Sequence, residues 1–75
     1  MKTITINTEY ITLGQFLKFA NIISNGSDAK PFLLENKIFV NGEEENRRGK
    51  KLYDGYLVKI GKNDFQVKKE WSSQK

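Results

Sequence analysis

Four cationic residues lie within five positions near the middle of this chain: Arg47, Arg48, Lys50 and Lys51. Guanidinium and ammonium groups attract phosphate oxygens, and a cluster of them concentrates positive potential without requiring a deep pocket. Gly49, inside the cluster, would let the backbone approach a partner closely. The cluster therefore predicts phosphate binding. Because three glutamates precede it at 43–45, the same pattern also fits a solvated run of charges.

Other kinds of site are poorly supported by the residue types. The 75-residue chain contains no cysteine and no histidine, so it lacks a thiolate nucleophile, an imidazole base and the usual zinc ligands. The consecutive glutamates lack the spacing of metal ligands. Asp54 and Asp64 lie in turn-like contexts, where aspartate commonly accepts hydrogen bonds from the backbone. We therefore expect no enzymatic activity, no metal and no cofactor.

Three further residues are candidates for contact with a nucleic acid. Lys18 projects from the outer face of a predicted helix, and Lys30 lies near the start of a second one. Each lysine also fits an ordinary surface position. Tyr53, beside the basic cluster, is the one aromatic residue that we consider for base stacking. The five phenylalanines are expected in the core instead, because most fall on predicted inner faces.

Charge is distributed unevenly along the chain. Residues 1–35 contain three lysines and three acidic residues, whereas residues 36–75 contain ten basic and six acidic residues and carry the whole net charge of +4. This asymmetry suits a polyanionic partner. No apolar run exceeds three residues, so we expect no transmembrane helix, no signal peptide and a cytoplasmic location. The length predicts a single domain, 1–75.

The first half of the chain predicts a strand followed by two helices. Residues 2–6 alternate as a short strand does. Thr12 is a plausible N-cap for a helix of about three turns, with Asn21 expected to help turn its end. A second helix begins after an N-cap at Ser27 or Asp28 and ends near Asn36, in the left-handed conformation that asparagine tolerates.

The second half predicts strands. The strand 38–40 leads into Asn41-Gly42, a strong hairpin signal. An extended, solvated excursion follows over 43–51, and then strands at 56–60 and 65–68. Trp71 is expected to pack on the sheet, and the tail 69–75 to be frayed.

This order of elements predicts an α+β domain in which two adjacent N-terminal helices pack on a small, mostly antiparallel sheet. Its expected core consists of apolar residues from the helices and strands: Leu13, Phe16, Leu17, Ala29, Phe32, Leu33, Ile38, Val40, Val58 and Ile60.

A resemblance to a known family rests on several of these segments, spread over about residues 11–60: Leu13-Gly14-Gln15-Phe16-Leu17, Ala29, Phe32-Leu33, Ile38-Phe39-Val40-Asn41-Gly42, Leu52, Gly55, Val58 and Ile60. The chain resembles the RNA-binding domain first described in ribosomal small-subunit protein four, the S-four domain or alpha-L motif. It looks most like the free-standing bacterial S-four-like proteins of the YaaA type.

The resemblance implies a non-catalytic protein that binds structured RNA, such as ribosomal or tRNA-like RNA, through its helix pair and the neighbouring loop. Possible partners include the ribosome, and a monomer is expected. The candidate RNA-binding residues are then Lys18, Lys30, Arg47, Arg48, Lys50 and Lys51, with Tyr53 for stacking. One alternative is an adaptor whose basic loop docks on an acidic protein surface. Another is a detached accessory of an RNA-modifying enzyme.

Overall fold

The computed structural model describes residues 1–70, and two strands precede its first helix. The first half contains β1 (Lys2–Ile6), β2 (Tyr10–Thr12), α1 (Leu13–Phe19), a 3-10 turn (Gly26–Asp28) and α2 (Ala29–Glu35). The second half contains β3 (Ile38–Val40), β4 (Glu43–Glu44), β5 (Lys51–Tyr53), β6 (Leu57–Ile60) and β7 (Asn63–Lys69).

The strands form two separate sheets. The larger has five strands in the order β1-β7-β6-β3-β4. Its β1–β7 pair is parallel, with Lys2 opposite Phe65, and its other pairs are antiparallel. The smaller sheet is an antiparallel ribbon of β2 and β5, with Ile11 opposite Leu52. We call this two-stranded sheet the ribbon.

The predicted architecture, with two adjacent N-terminal helices on a small, mostly antiparallel sheet, is wrong. Strands account for 39% and helices for 24% of the described residues, and the helices lie mid-chain. The sheet is mixed because the first strand pairs in parallel with the last. Two physical reasons account for the error. Strand β2 has three residues, too few for a clear alternation, and the β1–β7 pair depends on contacts distant in sequence.

Helix α1 begins as predicted. The Gln15 backbone N–H donates to Thr12 Oγ1 at 3.3 Å, and Gln15 Oε1 accepts from the Thr12 backbone N–H at 2.9 Å. This reciprocal pair is a capping box, in which each side chain satisfies a donor left without a helical partner. Thr12 is therefore both the last residue of β2 and the N-cap of α1.

Helix α1 ends earlier than predicted, after seven residues rather than three turns. Asn21 adopts the left-handed conformation, with φ of 61°. Its N–H donates to the Lys18 carbonyl, and the Ile22 N–H donates to the Leu17 carbonyl. These two hydrogen bonds are those of a Schellman motif, which stops a helix by satisfying its last carbonyls. Asn21 thus turns the chain, as expected. It does so two residues before Ile23, which a helix of three turns would have included.

Helix α2 begins and ends where predicted, but its two ends are capped differently from the prediction. Asp28 is the N-cap residue, yet its side chain makes no capping hydrogen bond. At the other end Asn36 is extended, with φ of −130°, and not left-handed as predicted. The Asn36 Nδ2 group instead donates to the Phe32 carbonyl at 3.0 Å. A side chain therefore closes this helix where backbone geometry was expected to do so.

The Asn41-Gly42 turn joins β3 and β4 as predicted. Both residues have positive φ, 53° and 86°, which suits the tight turns that join twisted strands. Asn41 also accepts through Oδ1 from the Leu57 N–H and donates its own N–H to the Leu57 carbonyl. The turn is consequently fixed to the start of β6.

The excursion and the C-terminal end differ in part from the prediction. Residues 43–51 are not wholly irregular, because Glu43–Glu44 forms β4 and Lys51 starts β5. Lys69 ends β7 and its N–H donates to Asp54 Oδ1 at 2.7 Å, so the expected fraying is wrong at this residue. Glu70, the next residue of the tail, donates its N–H to the Ile6 carbonyl at 2.7 Å. The expectations for Trp71 and for residues 72–75 lie outside the described residues.

The core combines α1, α2, the ribbon and the larger sheet. Its buried side chains are Ile6, Ile11, Leu13, Phe16, Leu17, Ala29, Leu33, Ile38, Val40, Leu52, Val58, Ile60, Phe65 and Val67. The predicted core is confirmed except at Phe32, which is half-buried. Phe19, also expected inside, is 55% exposed, and Phe39 is half-buried. Within residues 1–70, neither helix has the length and apolar character needed to cross a membrane.

Candidate nucleic-acid interface

The basic segment, which we define as residues 47–51, is fixed to the start of α1 through its backbone. The Leu13 N–H donates to the Lys50 carbonyl at 2.8 Å, and the Gly14 N–H donates to the Arg48 carbonyl at 2.9 Å. First-turn amides of a helix have no partner within the helix, so carbonyls from elsewhere in the chain satisfy these two. The basic segment is therefore held in place, and these amides are not available to an anion.

Gly14 lies where α1, α2 and the basic segment meet. A Cβ atom at this position would lie 3.5 Å from the Ala29 Cβ and 3.5 Å from the Arg48 carbonyl oxygen. The first turn of α1 thus packs beside both Arg48 and the first residue of α2. The three elements that carry the candidate cations meet at this point.

Lys18 and Lys30 extend from this junction on the two helices. Lys18 lies four residues after Gly14 on α1, so the two share one face of the helix. Lys30 follows Ala29 in the first turn of α2. Both side chains are exposed, and neither forms a hydrogen bond or ion pair with any residue of the described chain. Neither makes a direct polar contact with the basic segment.

Arg47 is already paired. Its Nε donates to Glu45 Oε2 at 2.9 Å and its Nη2 to Glu45 Oε1 at 3.2 Å, while its backbone N–H donates to Oε2 at 3.1 Å. Hydrogen bonding from the Arg47 side chain lowers the pKa of Glu45 to about 2. The same contact raises the pKa of Arg47. Much of the Arg47 charge is therefore balanced locally.

Arg48, Lys50 and Lys51 are the cations of the segment without an acidic partner among residues 1–70. Arg48 and Lys51 are exposed and Lys50 is half-buried. The Lys51 ammonium lies 4.9 Å from the centre of the Tyr10 ring, a cation–π distance. Arg48 and Lys51 therefore supply uncompensated positive charge, whereas the charge of Lys50 also contributes to the lowered pKa of Glu45.

A surface groove runs along the segment. It is lined by cations and tyrosines: Arg47, Gly49, Lys50, Lys51, Tyr53 and Tyr56. On the far side of Lys50 and Tyr56, a second groove is lined by Glu43 and Glu45 among others. The second groove thus brings carboxylates beside Lys50, whereas cations and tyrosines line the first without an acidic residue, which favours an anion in the first groove.

The candidate stacking residue Tyr53 belongs to a cluster of three tyrosines. Its ring centre lies 5.6 Å from that of Tyr10 and 5.7 Å from that of Tyr56. Sequence reasoning missed Tyr10 and Tyr56 as parts of this surface. One available signal was the pattern Tyr10-Ile11-Thr12, matched by Lys51-Leu52-Tyr53, with one apolar residue between two that face solvent.

The described chain contains little that resembles a catalytic or metal site. No three acidic, histidine or cysteine side chains gather to hold a metal within residues 1–70. Asp54, one of the carboxylates considered from sequence, accepts a hydrogen bond from the Lys69 backbone and so has a structural role. Asp64 lies within β7 and not in a turn.

Comparison with known proteins adds a relative and a family. The chain is 57% identical over 65 residues to a Bacillus subtilis (strain 168) protein named "Probable ribosome maturation protein RlbA", a match that covers 85% of this chain and 92% of the relative. A family model described as "S4 domain" matches residues 4–68. The match covers both sheets and both helices, and it confirms the resemblance to free-standing S-four-like proteins. This chain belongs to the S4 domain family.

Proposed function

We propose that this protein is a non-catalytic RNA-binding protein that recognises structured RNA through the basic segment and the neighbouring helix pair. Family membership supports an RNA partner, because the S-four domain is known as an RNA-binding domain. The name of the Bacillus subtilis relative supports ribosomal RNA as the first RNA to test. The protein would then act in the cytoplasm, where ribosomes assemble.

One observation carries this proposal: the backbone of the basic segment is hydrogen-bonded to α1 at Leu13 and Gly14. A flexible loop of lysines and arginines loses conformational freedom when it binds, and that loss weakens binding. A segment that is already fixed avoids most of this cost. Arg48, Lys50 and Lys51 are therefore suited to bind phosphates at defined positions, and such contacts orient a protein on its RNA.

Lys18 and Lys30 would extend the same positive surface along the two helices. Each adds a cation on one of the two helices that meet at Gly14. Phosphate contacts carry no base information, so selectivity in this proposal comes mainly from the shape of the folded RNA.

We propose no catalytic step. The full chain has neither cysteine nor histidine, and Asp54 is engaged with the Lys69 backbone. Purified protein is expected to leave RNA uncleaved and unmodified. An activity that the Asp54→Asn substitution abolishes, while the protein stays folded, would contradict this part of the proposal.

The central test replaces Arg48, Lys50 and Lys51 together by alanine and leaves Arg47 in place, because removing Arg47 would unpair Glu45. Binding to a ribosomal RNA fragment is measured by fluorescence anisotropy over a range of salt concentrations. Three phosphate contacts predict a slope of log affinity against log salt of about −2 to −3. The triple variant should lose most of this slope and bind all RNA sequences more weakly by a similar factor.

A matched control removes three exposed cations from the five-stranded sheet and its last turn, Lys59, Lys62 and Lys68. It changes the net charge equally but leaves the basic segment intact. Its RNA affinity should stay close to that of the unaltered protein. Equal losses in both variants would mean that net charge, and not the basic segment, drives binding. Capture of acidic proteins without RNA would favour the adaptor alternative.

A further inference from the structure

The outer face of the ribbon presents aromatic rings beside cations. Tyr10 and Tyr53 are directly opposite each other in the β2–β5 register, and Ile11 and Leu52, the next pair, are buried in the core. Side chains alternate between the faces of a strand, so both tyrosines must point away from the core. Lys51, two residues before Tyr53, shares their face. The ribbon therefore has one apolar face and one face of tyrosine and lysine.

Cross-strand packing alone does not account for these rings. A pair of opposed tyrosines stabilises a ribbon, and that role applies here. Yet Tyr10 and Tyr53 each remain 37% exposed. None of the three tyrosine hydroxyls forms a hydrogen bond within residues 1–70. Aromatic surface therefore remains open to a partner after the ribbon has formed.

Of the three rings, Tyr53 has the best position for a ligand. Tyr10 already has the Lys51 ammonium over its ring, and Tyr56 is half-buried. Tyr53 lies between them and lines the groove that also contains Arg47, Lys50 and Lys51. An aromatic surface and several phosphate-binding groups thus share one groove.

A groove that combines an aromatic ring with cations favours unpaired over paired RNA. A paired helix keeps its bases stacked inside and offers a protein its phosphates and 2′-hydroxyls. An unpaired base can leave the stack and lie against an aromatic ring, while cations hold the adjoining phosphate. A site meant only for paired RNA would need Tyr53 for its packing in the ribbon but not for its exposed ring surface.

We propose that the groove binds one unpaired nucleotide of the RNA, with its base stacked on Tyr53 and its phosphate near Lys50 and Lys51. This inference rests on the proposed function and names the RNA feature that the same surface recognises. The preferred target is therefore a helix interrupted by a bulged or looped-out nucleotide, and not an uninterrupted duplex.

The test uses two hairpin RNAs that differ in one position. The first carries a single bulged 2-aminopurine, and the second carries the same base opposite uracil in an uninterrupted stem. Full-length protein should bind the bulged hairpin roughly tenfold more tightly, since base–aromatic stacking typically contributes an effect of this size or larger. Stacking on Tyr53 should also quench the fluorescence of the bulged base.

Three variants test whether the ring of Tyr53 causes the preference and the quenching. Tyr53→Leu should lose the preference and the quenching, so that it binds the two hairpins with similar affinity. Tyr53→Phe keeps the ring and should keep both. Phe39→Leu removes an aromatic residue from the five-stranded sheet, away from the groove, and should also keep both. The quenching in unaltered protein is an independent measure if Tyr53→Leu does not fold.

The outcomes separate the two proposals. Equal affinity of unaltered protein for both hairpins, or a preference that survives Tyr53→Leu, overturns the inference and leaves the proposed function standing. If folded, unaltered protein binds neither these hairpins nor ribosomal RNA, the proposed function fails and the inference fails with it.

Discussion

The ribbon and the five-stranded sheet both expose cations, but they place them among different neighbours. On the sheet, Lys59 lies in register between Phe39 and the acidic Asp64. On the ribbon, Lys51 lies over the Tyr10 ring, and the two residues before it, Gly49 and Lys50, line a groove with Tyr53. A lysine beside a carboxylate has its field partly cancelled, whereas cations beside aromatic rings can bind a nucleotide as a unit.

The two regions also differ in how they are anchored. The sheet is held by its own ladders of strand pairs. The ribbon has one such pair and gains further support from α1, through Thr12 at its end and the amides of Leu13 and Gly14. Positive charge alone therefore does not identify a site. The arrangement of the ribbon against a helix makes this part of the surface suited to binding.

The substitution with the largest expected effect should destabilise the ribbon and the five-stranded sheet together. Phe16 is fully buried on α1 and meets Phe65 of β7 edge to face, with ring centres 5.5 Å apart. Phe16→Ala should lower the free energy of unfolding by about 3–5 kcal/mol, because it removes a large buried ring and leaves a cavity. Urea denaturation measures this change. A variant that unfolds at the same urea concentration as the original would contradict the placement of α1 on the sheet.

A substitution with a smaller expected effect, at Thr12, should loosen the ribbon selectively. Thr12→Ala removes the side-chain cap of α1 and should cost about 1 kcal/mol. Hydrogen exchange should accelerate at the Leu13 and Gly14 amides, which bond to the basic segment, more than in β6 and β7. Thr5→Ala, at an exposed position of β1, is the control and should change stability by less than about 0.5 kcal/mol. Uniform acceleration across both sheets would show that they unfold as one unit.

The Glu45–Arg47 pair makes the basic segment sensitive to acid. Folding lowers the pKa of Glu45 from 4.5 to about 2, so its contribution is complete above pH 4.5 and is lost as pH falls from there towards 2. Arg47 is well exposed, so we expect Glu45→Gln to cost at most about 1 kcal/mol at pH 7. Between pH 4.5 and 2, this variant should lose less stability than the original protein.

Glu44→Gln is the matched control for that experiment. It makes the same charge change at a neighbouring residue that forms no ion pair within residues 1–70. Thermal unfolding across the pH range compares the three proteins. Parallel pH profiles for the original protein and Glu45→Gln would show that the pair does not form in solution.

The smallest expected effect concerns Gly14. A Cβ atom there would make ordinary contacts of 3.5 Å with Ala29 and Arg48, and Gly14 has no positive φ. Gly14→Ala should therefore be tolerated and should stabilise the helix by up to about 1 kcal/mol. Chemical denaturation measures the change. A clear loss of stability would mean that the junction is packed more tightly than these distances indicate.

Features set by neighbouring residues were predictable from the sequence. The Thr12–Gln15 capping box and the Asn41-Gly42 turn need only a few adjacent side chains and backbone angles. The burial of Leu13, Phe16 and Leu17 follows from helical spacing. The early end of α1 was harder, because Ile22 and Ile23 continue the apolar pattern and pack against the core after the helix has stopped at Asn21.

Features set by distant residues were not predictable in this way. The β1–β7 pair joins Lys2 to Phe65, and nothing near either residue specifies the other. The basic cluster was recognisable because its four cations lie within five consecutive positions. The tyrosine cluster was recognised only at Tyr53, since the register of the ribbon brings Tyr10 opposite it and a turn brings Tyr56 beside it. The bonds from α1 to the basic segment likewise exist only in the folded chain.

The position of β7 has a consequence for the order in which the chain folds during synthesis. Among the strands of residues 1–70, β1 is translated before the others, but it pairs with β7, which is translated after them and lies between β1 and β6. Such distant contacts are slow to form because a long loop must close first. Residues 2–6 therefore stay unpaired in the sheet until residues 63–69 have left the ribosome. Strand β7 then inserts between β1 and β6 and secures β1.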